Sequence, residues 1–518
     1  KIFGELNYRT TTEFLHKDVN QVTKYDVNNN PWTNPAEQSS VLEQATKNNF
    51  FNPNVYTEYF KELNGGHAFK VMVGFQAELN KYRELGASRT DMITSNLPTL
   101  NTSTGTDKIT KGGYSHWATA GFFGRINYNY KERYLLEVNA RYDGTSRFSR
   151  DNRWNVFPSV SAGWNIAREA FWEPYTDVVN NLKFRGSWGE LGNQNTTNLY
   201  PYYQLLKFAA NDANSHWLLN GMKPNTANAP DLISTLLSWE TMRSWNIGID
   251  VGALQNRLTF SFDYFNRKTL DMVGPAPELP VILGATVPKT NNADMESKGF
   301  ELDIAWRDRI GKVDYGAHIL LSDDRQRVTR YSNPTGTLNT WYEGQYSGEI
   351  WGYVTHGIAK TDEEMQDWLA NHKQSFGNSW AAGDIMYEDL NGDGEVNEGS
   401  NTITDSGDKK IIGNSSPRYK FGIDLDASWN GFDIRMFFQG VAKRDYWLGD
   451  NMFWGASGGL WQSTCFTDHL DFFRSEGDDW GSNLNAYFPR PILDGGKNQK
   501  KQTRYLQNAA YLRLKNLQ

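Results

Sequence analysis

Residues 122–144 read FFGRINYNYKERYLLEVNARYDG, and the stretch decides the fold once it is taken two residues at a time. Phe122, Gly124, Ile126, Tyr128 and Tyr130 fall on one side, and Phe123, Arg125, Asn127 and Asn129 on the other. After the polar break Lys131-Glu132-Arg133 the alternation resumes. Leu136, Val138, Ala140 and Tyr142 then share one side, and Leu135, Glu137, Asn139, Arg141 and Asp143 the other. Side chains alternate faces along a strand, so the pattern predicts an antiparallel hairpin with one apolar and one polar face. Each arm is roughly 10 residues long, the length a tilted strand needs to cross an outer-membrane bilayer between lipid and a wet lumen.

The theme recurs along the chain. Phe69, Val71, Val73, Phe75, Ala77 and Leu79 share a face after the turn signal Asn64-Gly65-Gly66. Further alternating runs lie around residues 158–166, 182–188, 245–251, 258–264, 300–306, 313–319, 419–429 and 432–438. Residues 1–10 read as a weak strand, and Thr11 to Asn49 and residues 81–113 read as polar loops. The count comes to about fourteen antiparallel strands joined alternately by tight turns and long loops, an all-β transmembrane barrel. Soluble propellers or tandem sandwiches fit less well, since soluble strands average about 5–6 residues and no fixed repeat is present.

Composition agrees. Aromatics reach 14% of 518 residues, suiting the belts that flank a membrane band, while a mean hydropathy of -0.66 and the lack of any long apolar run exclude spanning helices. A net charge of -7 gives no reason to expect a nucleic-acid partner. The lone Cys465 leaves no internal disulfide framework.

One helix is expected, with Thr361 as N-cap, Glu364 closing a capping box, and Met365, Trp368 and Leu369 on one face. Residues 383–410 read as a loop insertion that fits either an EF-hand-type calcium loop or a solvated Asx/Gly turn needing no metal. Asp389, Asn391 and Asp393 alternate as oxygen ligands before Gly394, Glu395 offers its carbonyl, and Asn397 follows. The twelfth position is Ser400 where an acid is required, so the closing ligand must come from Asp405 or, as taken here, Asp408. Gly455-Ala456-Ser457-Gly458-Gly459 spells GxSxG without the strand and helix of a nucleophile elbow, and the eight histidines are scattered. The sequence therefore points away from an enzyme. The loop aromatics Trp341, Tyr342, Tyr346, Trp447, Trp454 and Trp461 are the candidate substrate contacts, able to stack on sugars or clamp a peptide and equally able to pack the loops.

Several passages carry a family resemblance. FGRINYNYKERYLLEVNARYDGTSRFSRDNRWNVFPSVSAGWNIARE (Phe123 to Glu169), LKFRGSWGELGNQN (Leu182 to Asn195), LSWETMRSWNIGIDVG (Leu237 to Gly252) and LTFSFDYFNRKTLDMV (Leu258 to Val273) are four of them. NADMESKGFELDIAW (Asn292 to Trp306), GDIMYEDLNGDGEVN (Gly383 to Asn397) and YLRLKNL (Tyr511 to Leu517) complete the series. In this order the chain resembles the C-terminal portion of SusC/RagA-type TonB-dependent outer-membrane transporters of Bacteroidetes. The resemblance implies that residues 1–518 are part of one receptor barrel of about 22 strands, with the plug domain, TonB box and last strands outside this stretch. Either a longer polypeptide or a second chain would then supply them.

It further implies a multi-pass barrel in the outer membrane that imports oligosaccharides or peptides. A SusD-like surface lipoprotein would act as lid, TonB would supply energy through the missing N-terminal part, and transporter–lid pairs would form dimers. The alternatives are a siderophore- or cobalamin-type receptor and a non-transporting barrel that anchors a surface complex.

Overall fold

The computed structural model describes residues 1–33, 38–106, 108–196, 198–209, 218–224, 226–228, 230, 232–276, 287–455, 466–492 and 495–518. Among these residues one sheet holds fourteen strands. They are β1 (Ile2–Val19), β2 (Ser40–Leu63), β3 (His67–Thr90), β4 (Lys108–Tyr130), β5 (Tyr134–Thr145), β6 (Trp154–Asn165) and β7 (Val179–Asn193). β8 (Glu240–Ala253), β9 (Leu258–Val273), β10 (Asn291–Ile310), β11 (Val313–Tyr331), β12 (Arg418–Trp429), β13 (Phe432–Lys443) and β14 (Tyr511–Leu517) follow. Each strand neighbours the next in chain order. The chain divides into two compact units: Lys1–Ala162 with Gly189–Thr241 and Gly284–Asn291, and Gly163–Trp188 with Met242–Leu283 and Asn292–Gln518.

In the first unit the hairpin expected at 122–144 forms in register. Phe122 faces Tyr142, Gly124 faces Ala140, Ile126 faces Val138 and Tyr128 faces Leu136. This apolar face is the exposed one. Phe122 is 55% exposed, Val73 53% and Ile126 49%, and Leu6, Val55 and Tyr59 are likewise open. A sheet that turns its branched and aromatic residues outward is built for lipid. On the opposite face the polar groups satisfy one another. Arg125 Nε donates to Asn139 Oδ1 at 2.6 Å, Asn139 Nδ2 to Glu137 Oε1 at 2.9 Å, and Arg141 forks onto Asp143.

This asymmetry sets the first expected result. Val73→Arg should cost about 2–4 kcal/mol in a bilayer, whereas Met72→Arg, one residue away on the polar face, should be tolerated. Unfolding of the protein refolded into vesicles measures both.

Strand ends differ from the sequence expectation. Thr11 to Val19 and Ser40 to Asn49 belong to strands, with Thr11 opposite Asn48 and Val19 opposite Ser40. Residues 81–89 pair likewise with residues 108–116, Lys81 with His116 and Arg89 with Lys108. Beyond the membrane band both faces meet water, so alternation fades while the backbone ladder continues. The tight turns fall where expected: Gly65 and Gly66 take φ of +91° and +88°, and Gly431 takes +91°.

In the second unit the same polar-face pairing appears. Arg185 bridges Asp250 and Asp263, Arg418 forks onto Asp323, and Arg435 holds Asp424. Here the long connections 332–417 and 444–510 carry structure of their own. Glu349–Tyr353 pairs with Lys409–Asn414, Thr355–Ile358 with Ile385–Tyr387, and Asp445–Trp447 with Leu506–Asn508. The expected helix, α1, spans Asp362–Asn371 and buries Met365. Thr361 Oγ1 accepts from Glu364 N at 3.1 Å, but the Glu364 carboxylate reaches back to Lys360 N, one residue earlier than a capping box requires.

Candidate functional site

The two long connections of the second unit are sewn into one body. Tyr353, Ile358, Ile385, Tyr387 and Val396 from the first pack with Phe473, Ala486 and Tyr505 from the second. Backbone bonds cross between them: Tyr353 N donates to Lys501 O at 2.8 Å and Thr503 N to Tyr353 O at 3.1 Å. Tyr387 Oη donates to Lys497 O at 2.8 Å.

Beside this apolar cluster lies a buried ion cluster. Asp384 is fully buried and accepts from Arg490 Nε at 2.8 Å, Lys497 Nζ at 2.7 Å and Asn498 Nδ2 at 2.9 Å. Burial alone would raise the Asp384 carboxyl, but its bonds to Arg490, Asn498 and Lys497 outweigh that and hold it below the ordinary value of 3.8. Gly383 makes the approach possible. It sits at φ +86°, and a Cβ there would run into Phe473 and Arg490.

Next to this cluster is an apolar cavity of about 130 Å³, lined by Trp454, Phe466, His469, Phe472, Phe488 and Ile492 among others, with Arg490 in one wall. His469 is fixed by two backbone groups: Phe466 N approaches Nδ1 at 2.9 Å, so the proton sits on Nε2 and faces Phe453 O at 3.0 Å. Trp454 Nε1 is buried and has no hydrogen-bond partner among the described residues. The cavity can thus hold a compact apolar group.

The sequence-predicted contacts divide. Trp454 lines this cavity and sets its ring 4.8 Å from that of Tyr505. Trp447 packs against the same apolar cluster. Trp341 packs edge-on to Tyr331 at 6.1 Å. Tyr342 is buried, and burial together with its bond to Glu349 pushes its hydroxyl up to about 12. Tyr346 lies under the Arg325 guanidinium at 4.1 Å. Trp461 lies outside the described residues, as do Ala456 to Gly459 of the GxSxG-like stretch. Phe466, His469, Phe472 and Phe488 were missed. The only signal for them was the aromatic density of 466–473 and 487–491. Asp384, Arg490 and Lys497 had none, being 106 to 113 residues apart.

The 383–410 loop is shaped by its own acids. Asp389 accepts from Gly392 N and Gly394 N at 2.6 and 2.7 Å, Asn391 from Asp393 N at 3.0 Å, and Asp393 from Glu395 N at 2.8 Å. Asn397 Oδ1 accepts from Gly399 N at 2.6 Å. Asp408, fully buried, closes the ring by accepting from Leu390 N at 2.7 Å and Asn397 N at 2.8 Å. Among the described residues no group of three or more His, Cys, Asp and Glu side chains converges as a metal cage. A calcium ion here would rest on a mixed set of carboxylate, amide and carbonyl oxygens.

Comparison with known proteins places this architecture. Residues 3–339 match the family described as TonB dependent receptor-like, beta-barrel. The chain belongs to this family. Its members are barrels of the outer membrane, which is where the outward apolar faces of this sheet belong. TonB-dependent receptor P3 of Formosa agariphila is 27% identical over 478 residues, covering 89% of this chain and 44% of P3. TonB-dependent receptor SusC of Bacteroides thetaiotaomicron is 28% identical over 390 residues, 74% of this chain and 36% of SusC. Among solved structures the RagAB peptide transporter aligns with a TM-score of 0.76 at 21% identity, over 100% of this chain and 53% of that one. The chain thus spans about half or less of the length of these receptors, and its fold is of the SusC/RagA type.

Proposed function

We propose that this chain is the barrel portion of an energy-coupled importer that takes up peptides through the SusC/RagA-type route. The observation that carries the reading is the cavity lined by the second connection alone, whose largely apolar walls, Trp454, Phe466, Phe472, Phe488 and Ile492 among them, suit a hydrophobic amino-acid side chain better than a hydroxyl-rich sugar. The likeness to TonB-dependent receptors such as SusC supports the importer part of this reading, and the likeness to the RagAB peptide transporter supports peptides as its cargo. A SusD-like lipoprotein would cover the loops, TonB would act through a segment outside this stretch, and transporter–lid pairs would dimerise. No covalent step is required, and the protein is read as a carrier.

Uptake of labelled hydrophobic oligopeptides by cells carrying the whole gene tests this. Uptake should vanish when the gene or TonB is removed and fall several-fold in Phe488→Ala. Uptake that survives loss of TonB would favour an anchoring role. Dependence of oligosaccharide uptake on Trp454, with peptide uptake unaffected, would favour a glycan importer.

For the 383–410 loop we propose a structural calcium ion held by Asp389, Asn391, Asp393, the Glu395 carbonyl, Asn397 and Asp408. What favours it is the alternation of Asp389, Asn391 and Asp393 before Gly394, with the buried Asp408 carboxylate bonded to Leu390 N and Asn397 N of the same loop. After chelation, added calcium should raise the temperature at which this loop becomes sensitive to protease, and Asp389→Ala should abolish the rise. An unchanged wild-type profile would refute the site.

A further inference from the structure

We infer that the outward face of β2, β3 and β4 carries a docking ledge for the phosphate headgroup of an outer-leaflet glycolipid. The register places it. Along β3 the outward residues Phe69, Val71, Val73, Phe75, Ala77 and Leu79 form an uninterrupted apolar row. Ten steps at about 3.4 Å, tilted by about 45°, span about 25 Å, the height of the hydrocarbon band on such barrels. The next two outward positions are Lys81 and Arg83, which therefore leave the hydrocarbon at headgroup depth. Across the ladder Arg83 faces Lys47 on β2 and Tyr114 on β4, while Lys81 faces Asn49 and His116.

Three features single out an anion as occupant. Lys47 and Arg83 are like charges directly opposed in an antiparallel pair, an arrangement that repels unless something negative sits between them. Lys47, Lys81 and Arg83 are exposed, and none has a carboxylate within ion-pair distance among the described residues. By contrast, the cations Lys111 and Lys70 on the inward face pair with Glu84 and Glu58. The ledge also continues the lipid-facing surface and is rimmed by interfacial rings. Tyr114 is exposed, and Tyr200 reaches within 5.3 Å of the His116 ring. Tyrosines at this height with a basic cluster among them match an acylated, phosphorylated headgroup better than free phosphate or a folded partner.

The test uses the whole polypeptide in nanodiscs of neutral phospholipid containing a small share of phosphorylated lipid A or its dephosphorylated form. Bound glycolipid is counted by native mass spectrometry. A basic side chain near an anionic surface is worth about fivefold in affinity, so Lys47→Ser/Lys81→Ser/Arg83→Ser should lower retention of the phosphorylated lipid at least about tenfold. Lys61→Ser, at the other end of the same face, should leave it unchanged, and dephosphorylated lipid should bind wild type as weakly as the triple variant. Heat-modifiable gel migration checks folding. If the triple variant folds poorly, Arg83→Gln alone should lose about fivefold while being no less stable than wild type in phosphate-free detergent. Equal retention by wild type and variants, or tight binding of the dephosphorylated lipid, would overturn the inference.

Discussion

Asp384→Ala should release the 444–510 connection from the 332–417 connection while the large sheet stays folded. The carboxylate is the single acceptor on which Arg490, Lys497 and Asn498 converge, and Lys497 is itself buried. Removing the carboxylate leaves the Lys497 ammonium on the Asn378 and Ser379 carbonyls and Arg490, which is partly exposed, on the Ser379 carbonyl, so the loss falls below the about 3–5 kcal/mol of a fully stranded buried pair. That is a sizeable share of the about 5–15 kcal/mol that keeps a whole domain folded. Amide exchange should rise across both connections and stay low in β10 to β13, and peptide uptake should be lost. Asp384→Asn keeps the shape but not the charge, so it should be nearly as damaging. If exchange in 444–510 is unchanged in both variants, the cluster is not what fastens the loops.

The pH dependence follows with a definite sign. Asp384 is held below its ordinary value of 3.8, so its stabilising contribution is complete above that value and is lost only as pH falls through the lower folded value. The Asp384 contribution to loop docking should therefore be flat from neutral pH down to about pH 5.

Tyr505→Ala should collapse the cavity. This side chain is fully buried, with Phe453, Trp454, Tyr487 and Phe488 rings between 4.8 and 6.3 Å from it, and its hydroxyl donates to Tyr487 O at 2.7 Å. Deleting a buried aromatic costs about 3–5 kcal/mol, and here it also removes the support behind Trp454 and Phe488. Tyr505→Phe loses only the hydrogen bond, about 1 kcal/mol, and should transport normally. The pair separates packing from polarity. Fluorescence quenching of Trp454 by an apolar peptide should disappear in the alanine variant and persist in the phenylalanine one.

Face and turn could be read from the amino acids because both are local. Alternation at 122–144 assigns Phe122 and Val138 to one side and Arg125 and Glu137 to the other, whatever lies elsewhere. Asn64-Gly65-Gly66 and Asn430-Gly431 reverse the chain through backbone angles their own residues favour. Inside-out burial follows too, since a face carrying Val73, Phe75 and Leu79 opposite one carrying Lys70 and Met72 cannot serve two aqueous sides.

The tertiary structure decided the rest. Strands ran past the apolar band, through Thr11 and Lys81, because the neighbouring ladder continued to supply partners after the alternation had ended. Trp341 became packing against Ala293, Met272 and Met295, and Trp454 a cavity wall with Phe488 and Ile492, through contacts made by distant segments. Asp384 gave no sign in its own neighbourhood, since an aspartate reads the same in a solvated turn and in a buried cluster. Only the arrival of Arg490 and Lys497 from the second connection, more than a hundred residues on, makes its charge stable out of water. Periodicity is a property of neighbours along the chain, whereas burial and charge compensation are properties of neighbours in space.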